Sequence, residues 1–408
     1  MYIPKGPAGV SLSDIKLLDV PKLLITKGVD YIRNNFKTIK HYDVNALYPT
    51  AMRNYEFPTD IIGYFIGDIT LIEEYKELYL NNIGIYKVKV IAPDIDHPLL
   101  PVRIDNTCIY PYGTWTGWYQ SAEIKNAEKF GYKFEILGGY LFESKNIFDL
   151  FVESLNKIKV TSEKGSAMYL IAKITLNSLY GRFGLYPFLD NHVFIPKPDY
   201  EDFLNNNRGN IKDFVDLDSH YLVSCTKKVN NKNNDDRGIP ANVAIALSIT
   251  AYSRIIMSKF KNNKDIILYY SDTDSLFINK FLPSSFVEDK ELGFYKLEAE
   301  YLFFIGIGPK MYGAIDIFGN SYTKIKWFKD KVELEILDKL LSVDGRHKLS
   351  QKKWFKTMKK SEILERDSDN LLRPTDNKRL LVFSNDQLAS TASIKLLIGE
   401  IVNKSKKK

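Results

Sequence analysis

Tyr270-Ser271-Asp272-Thr273-Asp274-Ser275 follows directly on the β-favouring run Ile266-Ile267-Leu268-Tyr269-Tyr270 and leads into Leu276-Phe277-Ile278. Two apolar runs around a short acidic segment spell a β-hairpin with carboxylates at its tip. Strand side chains alternate faces, so Asp272 and Asp274 share one unless the turn re-aims either of them. Like charges held that close repel, and a divalent cation shared with a third carboxylate relieves the repulsion. Taken alone, the hexapeptide also reads as an ordinary polar turn whose Asp, Thr and Ser serve only the backbone.

The 408 residues carry 57 Lys and Arg against 50 Asp and Glu, a net charge of +7 with a pI near 8.9. At 45% apolar and 26% charged the chain is globular, with length for about two to three domains. Its moderately basic balance favours polyanionic over cationic partners. The two cysteines, Cys108 and Cys225, stand far apart in no ligand spacing; this argues against a disulfide framework or a zinc site and for a reducing compartment. Residues 1–16 hold neither a signal-peptide core nor an Arg-rich amphipathic pattern. The longest apolar runs, such as Tyr301-Leu302-Phe303-Phe304-Ile305, are too short to span a bilayer, so no membrane partner is expected.

Three further stretches bear on chemistry. In His41-Tyr42-Asp43-Val44-Asn45-Ala46-Leu47-Tyr48-Pro49 an acid ends a strand, and Pro49 opens a short helix through Met52. Residues 165–183 form a helix on which Lys173, Asn177, Tyr180 and Gly181 fall at i, i+4, i+7 and i+8, one face. Such a polar stripe is commonly solvated surface; a cation, an amide, a phenol and a close-approach glycine in a row also suit a phosphate, a base and a sugar. The aromatics between Tyr110 and Tyr119 read as a hairpin filling a small core, with a base-stacking platform as the other reading.

The remaining chain supplies scaffolding. Strands are expected at Tyr86–Ile91, Leu292–Leu297 and Pro309–Ile317, the last with a Gly319-Asn320 turn into Tyr322–Phe328. Ser121–Gly131 reads as a helix with a serine cap, and Pro240 opens a long helix over Ala241–Phe260. Residues 191–238 read as loops around a strand near Tyr221–Thr226. Residues 330–360 read as two helices, the second basic through Lys348, Lys352, Lys353, Lys356, Lys359 and Lys360.

An acid at a strand end, a Lys/Asn/Tyr helix and an acidic hairpin are the parts phosphoryl transfer to a hydroxyl needs: positioned charge and two metal ions about 4 Å apart. In this order they resemble the motifs of family B DNA polymerases, within them the protein-primed branch of linear plasmids and small phages. Asp43 to Pro49 is similar to motif A, DxxSLYP, with alanine in place of serine; Lys173 to Gly181 matches motif B, KxxxNSxYG; Tyr270 to Ser275 matches motif C, YxDTDS; and Lys310-Met311-Tyr312 fits the later KxY motif.

The resemblance implies an α+β fold of right-hand architecture: a palm with an antiparallel sheet, helical fingers, a small thumb and two insertions. The expected boundaries are 1–53 for a leader and first palm part, 54–156 for the first insertion, 157–184 for fingers, 185–238 for the second insertion, 239–329 for palm and 330–408 for thumb and basic tail. Asp43, Asp272 and Asp274 would be catalytic, with Asp43, Asp274 and the Val44 carbonyl on two Mg²⁺ ions, Mn²⁺ being able to substitute. Tyr48 would select the deoxy sugar, Lys173 would bind the triphosphate, and Asn177 and Tyr180 would line the base pair. Gly181, Lys310 and Tyr312 would hold DNA and primer. Template-primer DNA, dNTPs and a terminal protein primer would be its partners. With only 42 residues before Asp43, no proofreading exonuclease domain is expected in this chain. The implied setting is a fungal or plant mitochondrion, organelle-encoded, with a phage-infected bacterium as the alternative. The rival readings are a non-catalytic nucleic-acid-binding remnant or one subunit of a split polymerase.

Overall fold

Ile39–Val44 form β1, whose alternate residues serve two cores. Tyr42 and Val44 turn to one side with Leu268, Leu276, Ile278 and Tyr295; Ile39 turns to the other with Tyr270, Phe277, Phe304 and Ala314. The computed structural model describes Tyr31 and residues 37–185, 190–225, 241–357 and 362–397. The leader, the Asn230–Asp236 run, Pro240 and the basic tail therefore lie outside the described residues. The chain divides into two compact units, one of residues up to Asn177, Leu247–His347 and Leu371 onward, the other of Ser178–Ala246 and Lys348–Asn370.

In the first unit β1 sits inside a six-stranded sheet with β11 (Leu268–Tyr270), β12 (Ser275–Ile278), β13 (Tyr295–Gly308), β14 (Met311–Asp316) and β15 (Ser321–Ile325). The order is β11-β12-β1-β13-β14-β15, antiparallel throughout. Both faces of β12 are covered, which explains why Leu276-Phe277-Ile278 is apolar without alternation. The short helix α1 (Leu47–Asn54) contributes Leu47 to one core. To the same core the long helix later in the chain, Val243–Lys261, contributes Met257 and Phe260. That helix is long and apolar enough to cross a membrane by length and composition, against the expectation that every apolar run is too short. Its residues Ile249, Ala251, Met257 and Phe260 are buried inside the protein.

A second sheet in this unit runs β2-β7-β3-β6-β20: β2 (Phe57–Ile66), β3 (Ile83–Ala92), β6 (Tyr112–Gln120), β7 (Lys133–Lys145) and β20 (Lys395–Leu396). A small hairpin, β4 (Val102–Ile104) and β5 (Thr107–Ile109), lies between β3 and β6 in sequence. The inward positions Tyr86, Val88 and Val90 meet Trp115 and Tyr119, and Trp115 donates its indole N–H to the Tyr119 hydroxyl at 2.8 Å. The aromatic cluster is thus one strand with a buried face, rather than a hairpin of its own. A helix at Ser121–Glu128 follows and is labelled α3, α2 being Lys76–Asn81. Its cap is Gln120, whose side-chain oxygen accepts from the backbone N–H groups of Ala122 and Glu123. The expected serine cap, Ser121, instead accepts from the Gly84 N–H. Two helices follow, α4 (Asp149–Thr161) and α5 (Ala167–Phe183).

The second unit holds a three-stranded sheet of β8 (Asn191–Pro196), β10 (His220–Cys225) and β9 (Ile211–Leu217), with α6 (Tyr200–Asn206) before β9. Asn205 and Asn206 therefore end a helix where loop is expected. Most of the paired strands β16 (His347–Thr357) and β17 (Glu362–Leu372) also belongs to this unit. This corrects the expected basic helix: after the one-turn-and-a-half helix at Leu334–Lys339, Lys348, Lys352, Lys353 and Lys356 run along a strand, while Lys359 and Lys360 lie outside the described residues. Lys348 pairs with Asp369 at 2.6 Å and Lys352 with Glu365 at 3.4 Å, so acids of a neighbouring strand answer the charge that reads as a helix face. In chain order Val243–Lys261 is α7 and Leu334–Lys339 is α8. A final hairpin, β18 (Leu380–Ser384) with β19 (Gln387–Ala392), is tied to the end of α8's loop by Leu341 and Val343 backbone bonds.

One ion pair joins α3 to α7. Arg254 donates through Nε to one oxygen of Glu123 and through a terminal nitrogen to the other at 3.0 Å; Glu123 is 3% exposed and Arg254 25%. Removing the arginine strands a buried carboxylate, whereas removing the carboxylate leaves a cation that water can reach. Arg254→Met is expected to cost about 3–5 kcal/mol, and Glu123→Gln about half that or less. Urea denaturation measures both, and equal losses would contradict this asymmetry.

Candidate active site

The acidic hairpin is closed by a tight turn. Ser275 donates its N–H to the Asp272 carbonyl at 2.9 Å, its hydroxyl bonds the same carbonyl at 3.1 Å, and it accepts from the Asp272 N–H at 3.2 Å. Thr273 at the tip takes φ +49°, a left-handed conformation that these bonds hold in place. Asp272 and Asp274 then differ in the partners they take, although the charge of Asp272 still acts on Asp274. The Asp272 carboxylate receives the Lys310 ammonium at 2.6 Å and the Thr273 hydroxyl at 3.3 Å.

Asp274 is brought to Asp43 by the sheet. Asp43 is in register with Ser275, and Val44 donates its N–H to the Asp274 carbonyl at 3.0 Å. Burial pushes the Asp43 carboxyl up to about 7, reinforced by the charges of Asp274 and Glu298 and opposed by Lys324. Burial also raises Asp274, with Asp272 adding to it and Lys310 and Lys261 opposing. Two carboxyls raised this way lack enough positive charge between them. The Val44 side chain is in the core, so only its backbone can face the site.

The surrounding backbone is fixed by paired motifs. Tyr270, buried against Phe277, Phe304 and Tyr312, accepts the Lys310 N–H at 3.0 Å; Lys310 has φ +58°, and its carbonyl accepts from the Lys326 N–H at 3.0 Å. The Tyr312 hydroxyl is raised to about 12 by burial and by the charges of Asp272 and Asp43. Behind Asp43, His41 stacks on Phe277 at 4.0 Å and burial lowers it to about 4, so its imidazole is neutral. Ala46, at φ +55°, links β1 to α1, and the turn is tied by Asn45 N–H to Phe294, Gly293 N–H to the Asn45 carbonyl, and the Asn45 amide to the Glu288 and Glu291 carbonyls. This turn aims α1 so that half-buried Tyr48 lines a cavity of about 630 Å³ beside the hairpin.

That cavity is basic: Arg254, Lys261, Lys310, Lys326, Lys378 and Arg379 line it, with Asp272 at its edge. Such a wall suits phosphate groups. Lys261 is the cation that sequence reading overlooks. It ends α7, and burial lowers its ammonium to about 8 while Asp272 and Asp274 hold it up. A basic last helical turn shortly before the acidic hairpin is the signal that would have found it.

Lys173 and Asn177 lie on an exposed face of α5, and neither lines the cavity; Tyr180 and Gly181 fall in the second unit, half-buried and exposed. Among the described residues no group of three His, Cys, Asp or Glu side chains is set to hold a metal ion. The groups that could hold one are Asp43, Asp274 and backbone oxygen. Two hard carboxylates fit Mg²⁺, which keeps several waters and takes one or two carboxylates beside substrate phosphates.

Residues 29–267 match the family described as DNA polymerase type B, organellar and viral. A probable DNA polymerase of Neurospora intermedia is 35% identical over 361 residues, covering 85% of this chain and 36% of that protein. One of Ascobolus immersus is 31% identical over 400 residues, covering 95% and 32%. The chain thus spans about a third of the length of these relatives. Among solved structures, phi29 DNA polymerase complexed with primer-template DNA and incoming nucleotide substrates superposes with a TM-score of 0.61 at 19% identity, over 83% of this chain and 58% of that one. That likeness establishes a shared α+β fold.

The raised Asp43 carboxyl has a consequence for pH. Its folded-state value near 7 lies above the unfolded value of 3.8, so its contribution to stability is present at low pH and is lost as pH rises from about 4 through about 7. Denaturation midpoints of Asp43→Asn are expected to fall less over this window than those of the wild type. Mg²⁺ should stabilise the wild type more at pH 8 than at pH 5.5 and the variant little at either. Parallel pH profiles for the two proteins would refute the assignment.

Proposed function

The chain belongs to the organellar and viral type B DNA polymerase family, and from that premise we propose that it carries out template-directed DNA synthesis, adding dNMP from dNTP to a primer 3′-hydroxyl. The observation that carries the reading is the register of Asp43 against the acidic hairpin, with Val44 bonded to Asp274. Two Mg²⁺ ions, when bound, would activate the attacking hydroxyl and neutralise charge on the leaving phosphate; Asp43, Asp274 and the Val44 carbonyl would hold them.

The chain's own groups supply position. Lys310 pairs with Asp272 and lines the basic cavity, where it can reach a primer-terminal phosphate. Tyr312, packed on Tyr270, backs that position. Tyr48, at the cavity wall, would abut the incoming sugar and exclude a 2′-hydroxyl by contact. Lys173, Asn177, Tyr180 and Gly181, one face of α5, would receive the triphosphate and the nascent base pair. The chain would be laid out as leader and palm over 1–53, insertion over 54–156, fingers over 157–184, second insertion over 185–238, palm over 239–329 and thumb beyond. The organellar and viral description of the family and the fungal source of its relatives support a mitochondrial setting; a plasmid would be the replicated element and a terminal protein its primer.

Primer extension with purified protein, Mg²⁺ and dNTPs tests the reading. Extension is expected from the wild type. Asp274→Asn should lower its rate more than about a hundredfold, because even the hydrogen-bonding partners of metal ligands are worth about 10–100-fold. DNA affinity should stay near wild type. A wild-type protein that binds primer-template but never extends it would overturn the proposal. Tyr48→Val should admit ribonucleotides; unchanged sugar discrimination would remove Tyr48 from its role.

A further inference from the structure

The outer face of the five-stranded sheet carries a line of rings. Trp118 on β6, Tyr140 on β7 and Tyr64 on β2 are 45%, 39% and 57% exposed, although the opposite face of these strands is the buried core. Ring centroids are 6.0 Å apart from Trp118 to Tyr140 and 4.8 Å from Tyr140 to Tyr64. Register explains the line. Tyr140 stands opposite Ile85 and Tyr64, and one row along Trp118 stands opposite Lys87, which faces Gly138. Gly138 has no side chain because a Cβ there would meet the Phe65 carbonyl at 2.8 Å; Ile66, 82% exposed, stands opposite it.

Charge identifies what such a face accepts. The next rows add Lys89 and Lys133 against Glu135, and Glu135 is held by Lys89 at 2.8 Å. The face is thus aromatic and net positive. A partner with an apolar protein surface gains nothing from the lysines, and a bare phosphate gains nothing from the rings. An extended single strand of nucleic acid presents flat bases and regularly spaced phosphates together, and aromatics on the face of an open sheet stack successive bases of such a strand. We propose that Trp118, Tyr140 and Tyr64, with Lys87, form a binding platform for single-stranded nucleic acid. None of the three rings lines the basic cavity beside the aspartates, so the platform is a second site.

The test uses the whole chain and a labelled oligothymidylate, with affinity read by anisotropy and tryptophan emission read in parallel. Trp118→Ala and Tyr140→Ala should each weaken binding about fivefold or more, while Trp118→Phe keeps most of it. Lys87→Ala should reduce the slope of log affinity against log salt by about 0.7. The oligonucleotide should quench wild-type emission more than that of Trp118→Phe, a comparison that needs no disruptive variant. Asp274→Asn should bind it as the wild type does, so failure of the synthesis reading would leave this one standing. Equal quenching in wild type and Trp118→Phe, or unchanged affinity in both alanine variants, would overturn the platform. So would a change in sedimentation of Trp118→Ala with unchanged oligonucleotide affinity, which would mark the face as a protein contact.

Discussion

Asp43 and Asp274 repel each other, and backbone hydrogen bonding between β1 and β12 holds them together regardless. The Val44 N–H bonded to the Asp274 carbonyl fixes a register that a slip of one residue would destroy, because Asp43 would then face the apolar core. That register is itself over-determined: β12 is buried on both faces, and β1 is paired on both edges. The strain of an uncompensated acid pair is thus borne by two cores on either side of one sheet. Burial of the carboxyls, their raised protonation and their readiness for a divalent cation all follow from this arrangement.

Left-handed residues mark where the sheet is bent to serve the site. Ala46, Thr273 and Lys310 each adopt positive φ without being glycine: Thr273 inside a turn closed by its neighbours Asp272 and Ser275, Lys310 bonded by Tyr270 and Lys326, and Ala46 where β1 passes into α1. Ala46 leads into the helix that carries Tyr48, and Lys310 directs its ammonium to Asp272. Conformations of this kind cost of order 1–3 kcal/mol each, and Thr273 and Lys310 both line the basic cavity.

Much of this was legible in the sequence. The apolar runs around Asp272 and Asp274 describe a hairpin with acids at its tip, and Asp43 reads as an acid at a strand end, as β1, β11 and β12 have them. Local patterns misled where the deciding partner is remote. The lysines of β16 read as a helix face because Asp369 and Glu365, which answer them, lie on another strand. Ser121 reads as a cap because nothing nearby shows that Gln120 reaches the same N–H groups while Ser121 is taken by Gly84. The ring line of Trp118, Tyr140 and Tyr64 joins residues from three strands, so no window of sequence contains it. Lys261 was in plain view, but its value depends on the hairpin folding back over the end of α7.

The pairing of β1 with β12 also has a meaning for synthesis of the chain itself. Its two strands are separated by more than two hundred residues, so β1 leaves the ribosome on the order of ten seconds or more before its partner exists. During that interval Tyr42 and Val44 have no core, and the edges that later take β12 and β13 are open. The earlier-made five-stranded sheet has four of its strands before residue 146 and can assemble locally meanwhile. The nascent chain can therefore assemble four strands of one sheet before the pairing of β1 with β12 becomes possible, and its exposure to misassociation is set by the length of that wait.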